Sequence, residues 1–300
     1  MQMLFAYNNN SPCLFLKLLD AQVQPIVQYG SEIWGLDQVA QQNCEKLHLY
    51  ALKKCLGVSI RTPNDLVYAE LNRYPISINS KVNVLRYWLK LIAMNNDRLP
   101  RKSYDMLCKL DERGKRTWAT SVRECLYQNG FGFVWENQGV GIVRDFLKVF
   151  KQRLIDCKWQ AWNAHVVESG RLYTISLFGN ERHMLQSYLL TDMPKYFKFL
   201  MTKFRFGVTD LNVHRSRNRY YTNINLNCQL CHNGIENEIH FVLCCPFYNE
   251  LRQELIAPKY WRSPNGQKLK MLFSNTNEIV IKKLCMYVCK ALKAREIALS

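Results

Sequence analysis

Apolar residues recur along most of this chain at intervals of three and four, the spacing that lines one face of an α-helix. The clearest run is Ile78, Val82, Leu85, Leu89 and Ile92, which predicts an amphipathic helix after Pro75. Upstream, Ser11-Pro12 reads as a cap and first turn, with Leu14, Leu18, Ala21 and Val23 as the buried face until Pro25 kinks or ends the helix. From Gln38 to Leu56, Val39, Leu47, Tyr50, Ala51 and Cys55 keep helical spacing, Lys46, Lys53 and Lys54 point outward, and Gly57 is the stop. Thr62-Pro63-Asn64-Asp65 reads as a further start, Thr62 capping, in a helix that Pro75 ends. Pro100 opens another through Tyr104, Leu107 and Leu110, and Trp118, Val122 and Cys125 mark the next. A long helix is predicted from about Ile142 to Val167, carried by Ile142, Phe146, Phe150, Leu154, Cys157 and Ala161. Near the end, Ile281, Leu284, Val288 and Leu292 share a face of a final helix starting at Glu278, with Lys282, Lys283, Lys290, Lys293 and Arg295 largely on others.

The segments between these faces carry less order. Tyr29, Ile33 and Trp34 cluster around Gly30 and Gly35 and are expected to form an aromatic knot in the core. Alternating runs are too short to compete with so many helical faces. The expected fold class is therefore mostly α, with a multi-helix lobe, a small metal-nucleated tip and a C-terminal helix. Glu168-Ser-Gly170 is the best domain boundary, and no repeat of fixed period is present.

Composition adds a partner. Three hundred residues, 48% of them apolar, can bury a sizeable core. A net charge of +17 and a pI near 9.4 mean that the surface attracts anionic polymers, nucleic acid first among them. No apolar run approaches the ~20 residues of a spanning helix, and no basic segment leads into an apolar one at the start. No membrane partner is expected, and an intracellular location, nucleus and/or cytoplasm, is. Twelve cysteines scattered along the chain suit a reducing compartment.

Three of those cysteines form a pattern with a histidine that carries chemistry. Cys228-Gln-Leu-Cys231 is followed after eight residues by His240 and after four more by Cys245-Pro246. Two thiolates on one turn, closed by a His and a Cys a short reach away, make a tetrahedral zinc shell. Gly234 supplies the turn, the apolar run Ile239, Phe241, Val242 and Leu243 folds His240 back, and Pro246 starts a helical turn with Tyr248, Leu251 and Leu255 on one face. Cys244 adjoins Cys245 and His232 follows Cys231, so the fourth ligand is open among them; Cys245 is preferred because it precedes Pro246, leaving Cys244 to pack inward. The predicted cofactor is a structural Zn²⁺, since four protein ligands leave no place for a reacting water. Cys285 and Cys289, one helical turn apart, have no third ligand nearby and read as packing.

Upstream of that site, 194–221 interleaves cations and aromatics. Lys195, Lys198, Lys203, Arg205, Arg215, Arg217 and Arg219 stand against one acid, Asp210, and are expected to contact phosphates. Phe197, Leu200, Met201 and Phe204 bury one helix side, which leaves Tyr220 and Tyr221 as the residues expected to stack on bases.

The order of several motifs then points to a family. Val23-Gln-Pro25-Ile-Val-Gln-Tyr29-Gly30-Ser-Glu32-Ile-Trp34-Gly35, Leu56-Gly57-Val, Thr62-Pro63-Asn, Ala69-Glu70-Leu-Asn-Arg73-Tyr74-Pro75-Ile, and the segment from Cys228 through Glu236-Asn-Glu238-Ile-His240 to Arg252 occur in this order. Together they resemble the C-terminal part of reverse transcriptases of non-LTR (LINE-type) retrotransposons, over nearly the whole chain. The resemblance implies an end of the thumb region over 1–36, a helical linker over 37–168, a basic aromatic segment over 169–226, a zinc knuckle over 227–256, and a C-terminal loop and helix over 257–300. It implies RNA and/or DNA as partner, with template RNA or target DNA held near polymerase and endonuclease domains encoded upstream. The chain contains no Asp-Asp pair, and its one adjacent acidic pair is Asp111-Glu112, so it is expected neither to polymerise nor to cleave. The alternative is a host-retained adaptor whose zinc tip binds another protein.

Overall fold

A computed structural model of the chain describes residues 11–168, 173–178, 185–217 and 224–300. Among the described residues the protein is mostly α-helical and has no β-sheet; its sole strand-like feature is an isolated antiparallel bridge between Asn227 and Ile235. The chain divides into two units. One gathers 20–50 and 74–162, the other the residues up to 19 with 51–73 and 163–300.

The first unit is built on helix Ile76–Ile92. Of the predicted face, Ile78, Val82, Leu85 and Leu89 are buried and Ile92 is half-buried. Helices Leu99–Glu112 and Trp118–Gln128 pack on it, joined by Phe150 and Leu154 of the long helix Val143–Glu168. Trp88 is fully buried, its indole N–H donating to the Tyr104 hydroxyl at 2.9 Å and its ring stacked on Trp135 with centroids 5.5 Å apart. Each such large apolar side chain contributes about 1.5–3 kcal/mol on burial. The turn Ser31–Trp34 lies against Ile76–Ile92 because Gly35 has no side chain: a Cβ there would meet the Ser80 carbonyl at 2.8 Å.

The second unit is organised by the C-terminal helix Glu278–Leu299, against which Lys195–Arg205, Ser187–Leu190 and Asn249–Leu255 pack. Ile281, Leu284, Cys285, Val288 and Cys289 form its buried face, so the two cysteines pack as the spacing suggests. Phe204 is enclosed by Phe178, Phe241 and Phe273, with centroids 5.4 to 5.9 Å away. Beside them Glu70 and Arg205 form an ion pair with both groups out of solvent, Arg205 Nε donating to Glu70 Oε1 at 2.6 Å and Nη2 to Oε2 at 3.2 Å. The Tyr188 hydroxyl donates to the same Oε1 at 2.7 Å.

Several sequence expectations are corrected. The first helix, Pro12–Leu18, is capped by Ser11 as predicted, yet it buries Phe15, Leu16 and Leu19, and Leu14 is exposed. Five apolar residues crowd into six positions there, so the spacing cannot choose between adjacent registers. Helix Gln38–Leu56 ends at Gly57 as read, with φ +67°, but turns Leu49, Leu52 and Leu56 inward and leaves Val39 and Leu47 exposed. Lys53 is buried, not outward: its ammonium donates to the Ile60 carbonyl at 2.8 Å and to Asn64 Oδ1 at 2.7 Å. Pro63, and not Thr62, occupies the cap position of Asn64–Leu71, which ends at Asn72 with positive φ before Pro75 is reached. Tyr29 and Ile33 are exposed, so the aromatic knot does not form; Trp34 instead donates to the Tyr29 carbonyl at 2.9 Å. In Val143–Glu168 the predicted face holds at Phe150 and Leu154, while Ile142, Cys157 and Ala161 are exposed. Arg295 is buried in an ion pair with Glu236. The loop expected to open 257–300 holds two short helices, Pro258–Trp261 and Gly266–Phe273, with 262–265 non-helical between them; Asn265 caps the second, its side chain accepting from Lys268 N.

Candidate metal centre

The segment from Leu226 to Ile256 folds around four side chains. Cys228 N donates to the Gly234 carbonyl at 2.9 Å and Glu236 N to Leu226 O at 2.7 Å, closing a tight loop that carries Cys228 and Cys231. Gly234 turns it at φ +89°, a conformation that a residue with a Cβ adopts only with strain. The Asn233 amide donates to Cys231 Sγ at 3.4 Å. On the far side, 240–244 form one wide helical turn in which Cys245 N bonds to His240 O at 2.7 Å. That turn brings His240 and Cys245 back over the cysteine pair, with Phe241, Val242 and Leu243 in the core below.

One ligand atom from each of Cys228, Cys231, His240 and Cys245 lies within 4.8 Å of all the others. Cys228 Sγ stands 3.9 Å from Cys245 Sγ, and Cys231 Sγ stands 3.3 Å from His240 Nε2. A tetrahedron with metal–sulfur bonds of about 2.3 Å and metal–nitrogen bonds of about 2.0–2.1 Å has S···S edges near ~3.8 Å and S···N edges near ~3.6 Å. These two pairs thus stand within about 0.3 Å of those edges, and all four donors lie within 4.8 Å of one another, close enough to converge on one cation. They are too far apart for a disulfide, and every cysteine in the chain is a free thiol. Among the described residues no other group of His, Cys, Asp or Glu side chains forms such a cluster.

Electrostatics fits the same role. Burial pushes the thiols of Cys228 and Cys245 above the usual range, and burial lowers the His240 imidazole, keeping it neutral. Thiolates in this place need a cation, and a neutral imidazole is a ready ligand. Cys245, chosen from sequence, belongs to the quartet, and His232 does not. Cys244 is exposed instead of packing inward, because the wide turn directs it away from the core.

The frame around the quartet went unread in the sequence. Arg252 donates through Nε to Val242 O at 3.0 Å and through Nη2 to Cys245 O at 2.7 Å, and the Tyr287 hydroxyl donates to Phe241 O at 2.7 Å. Glu236 is buried, taking the Asn212 amide on Oε2 at 2.9 Å and Arg295 on both oxygens. Glu238 is buried two residues on, and its Oε1 accepts from Thr174 at 2.6 Å, Arg217 at 2.8 Å and His214 Nε2 at 3.2 Å. Burial alone would raise this carboxyl, but the hydrogen bond and charge of His214, the Arg217 guanidinium and the Thr174 hydroxyl outweigh it and hold the group far below the usual carboxylate range. Two acids at 236 and 238, in a chain with 24 acids against 41 Lys and Arg, were the available signal.

The expected phosphate contacts divide. Arg205 is withdrawn into its pair with Glu70 and cannot meet a phosphate. Lys198 is buried too, donating to Leu189 O at 3.1 Å, and burial lowers its ammonium below the usual lysine value. Both are corrections, with one cause: helix Lys195–Arg205 presses this side against Glu70 and the C-terminal helix. Arg217 is committed to Glu238, and Lys195 lies over the Phe199 ring at 4.9 Å. Lys203 is exposed and Arg215 half-buried. Arg219, Tyr220 and Tyr221 lie outside the described residues. No helix among the described residues is long and apolar enough to cross a membrane. Comparison of the chain with protein-family models, curated proteins and solved structures finds no match.

Proposed function

We propose that the chain binds one zinc ion through Cys228, Cys231, His240 and Cys245 and serves as a nucleic-acid-holding region, the C-terminal part of a LINE-type reverse transcriptase. The carrying observation is the donor quartet: three sulfurs and one imidazole nitrogen within 4.8 Å of one another, with no carboxylate among them. With four protein ligands the ion acts as a cross-link and not as a catalyst. The nucleic-acid half is supported by the charge of +17 and by the order of motifs from Val23 to Arg252. On this reading template RNA or target DNA is positioned here, and the polymerase and endonuclease centres belong to upstream domains.

The test is native mass spectrometry of the wild type and of His240→Ala, with single-stranded RNA binding followed across a salt series on the same samples. One zinc per chain, lost in the variant together with salt-sensitive binding, is the expected result. Absence of zinc from the wild type would overturn the metal assignment. A second reading, a protein-interaction adaptor, draws on three apolar side chains exposed on the tip, Leu226, Ile235 and Phe247. Zinc without RNA binding would favour it.

A further inference from the structure

The unit that lacks the metal cluster carries a groove of about 480 Å³ between helices Ile76–Ile92 and Val143–Glu168. Its apolar lining is Val82 and Leu147, both buried, and the more exposed Val143. Its rim is wholly cationic, with Arg86 on one helix and Arg144, Lys148 and Lys151 on the other, and no acid lines it. All four cations are exposed. Asp145 lies 3.3 Å from Lys148, but both side chains are more than half exposed and such pairs contribute little. Arg86 donates to the neutral Asn83 side chain at 2.7 Å, which leaves its charge uncompensated.

The spacing narrows the occupant. Arg144, Lys148 and Lys151 follow one another at four and three residues and so form a row on one helix face, about 10 Å long at 1.5 Å per residue. A row of this length can meet more than one successive phosphate of a single strand. A flat bilayer surface cannot enter a channel between two helices, whereas a single strand can lie in it, phosphates along the rim and sugars over the apolar lining.

We infer that this groove binds the phosphodiester backbone of single-stranded nucleic acid, as a contact surface separate from the residues around the metal. The inference rests on the nucleic-acid reading above, and its test separates the two. The full-length protein is compared with a groove variant, Arg86→Gln/Arg144→Gln/Lys148→Gln/Lys151→Gln, and with a control that removes as many exposed cations elsewhere in the same unit, Lys102→Gln/Lys109→Gln/Arg113→Gln/Lys115→Gln. Binding of a single-stranded RNA and a DNA of equal length is followed from low to high salt, alongside vesicles rich in phosphatidylserine. Circular dichroism and zinc content check folding, and Arg144→Gln/Lys151→Gln supplies a milder variant should the fourfold change disturb the helices.

Each phosphate contact on a single strand adds about 0.7 to the slope of log affinity against log salt. The groove variant is expected to lose roughly 2 to 3 of slope, the milder one about 1.4, and the control much less. Equal losses in groove and control variants would overturn the groove while leaving nucleic-acid binding intact. A wild type that binds vesicles and neither strand, or nothing at all, would overturn both. The preferred strand, RNA or DNA, identifies the source of the backbone.

Discussion

Arg295 donates through Nε and Nη2 to the two carboxylate oxygens of Glu236, at 2.7 and 2.8 Å, with both side chains more than nine-tenths buried. The pair ties the C-terminal helix to the segment that carries the Cys/Cys/His/Cys cluster. Removing one partner strands a buried charge, which costs about 3–5 kcal/mol. Arg295→Ala is expected to lower stability by that amount in urea denaturation, and Glu236→Gln/Arg295→Met to recover a large part of it. A cost below about 1 kcal/mol for Arg295→Ala would mean that the pair does not anchor the helix.

Zinc should follow the quartet. Cys231→Ser and His240→Ala are expected to lose the ion and to unfold the tip, whose metal contributes on the order of 10 kcal/mol in comparable peptides. Cys244→Ser should keep it, because that side chain points to solvent. Native mass spectrometry reads all three, and loss of zinc in Cys244→Ser would reverse the assignment of the fourth ligand.

Acid should act through Glu238. In the unfolded chain this carboxyl takes up its proton near pH ~4.3, whereas the folded protein resists it until far lower pH. Acidification therefore favours unfolding. The stabilisation is complete above the unfolded value and is lost as pH falls from there towards the folded one. In urea titrations from pH 6 down to about 3, the wild type should lose stability more steeply than Glu238→Gln. Any protonation of the Cys228, Cys231 and Cys245 cluster is common to both proteins and is expected to cancel in the difference. Parallel curves would show that the network around Glu238 is not ionised as described.

Arg205 separates folding from recognition. Its guanidinium is 2% exposed and bound to Glu70, so Arg205→Gln should destabilise the chain strongly, by about 3–5 kcal/mol. Its effect on the salt slope of RNA binding should be nil at temperatures where the variant stays folded. Lys203→Gln, on the exposed side of the same helix, should leave stability within about 0.5 kcal/mol. A lower salt slope in Arg205→Gln would mean that this side chain leaves its pair to meet phosphate.

How much of this was legible follows from distance along the chain. The metal quartet could be read because its ligands sit within 18 positions, 228 to 245, and their spacing is itself the signal. Helix Ile76–Ile92 could be read because its apolar face has one register. The helix at Pro12 could not be placed to the residue, since Leu14, Phe15, Leu16, Leu18 and Leu19 satisfy two registers equally. Arg205 and Arg295 were expected at the surface because charge is usually solvated, and are buried by acids 135 and 59 residues away; Lys53 is buried by nearer partners, a carbonyl and a side-chain amide 7 and 11 residues on, which helical spacing does not register. The two units hid for the same reason, each being assembled from separated stretches of chain.

The frame around His240 and Cys245 bears on portability. Isolated knuckles are often treated as modules that can be cut out and moved. Here the carbonyls of Phe241, Val242 and Cys245 are held by Tyr287 and Arg252, and the acids at 236 and 238 reach to Asn212, His214, Arg217 and Arg295. A peptide spanning 224–256 would keep all four ligands and Arg252 but leave the other supports behind. Transplanted into a foreign scaffold, it would have to orient His240 and Cys245 without Tyr287 below Phe241 and without the partners that fix Glu236 and Glu238. Anyone borrowing this site would have to take the last helix along with it.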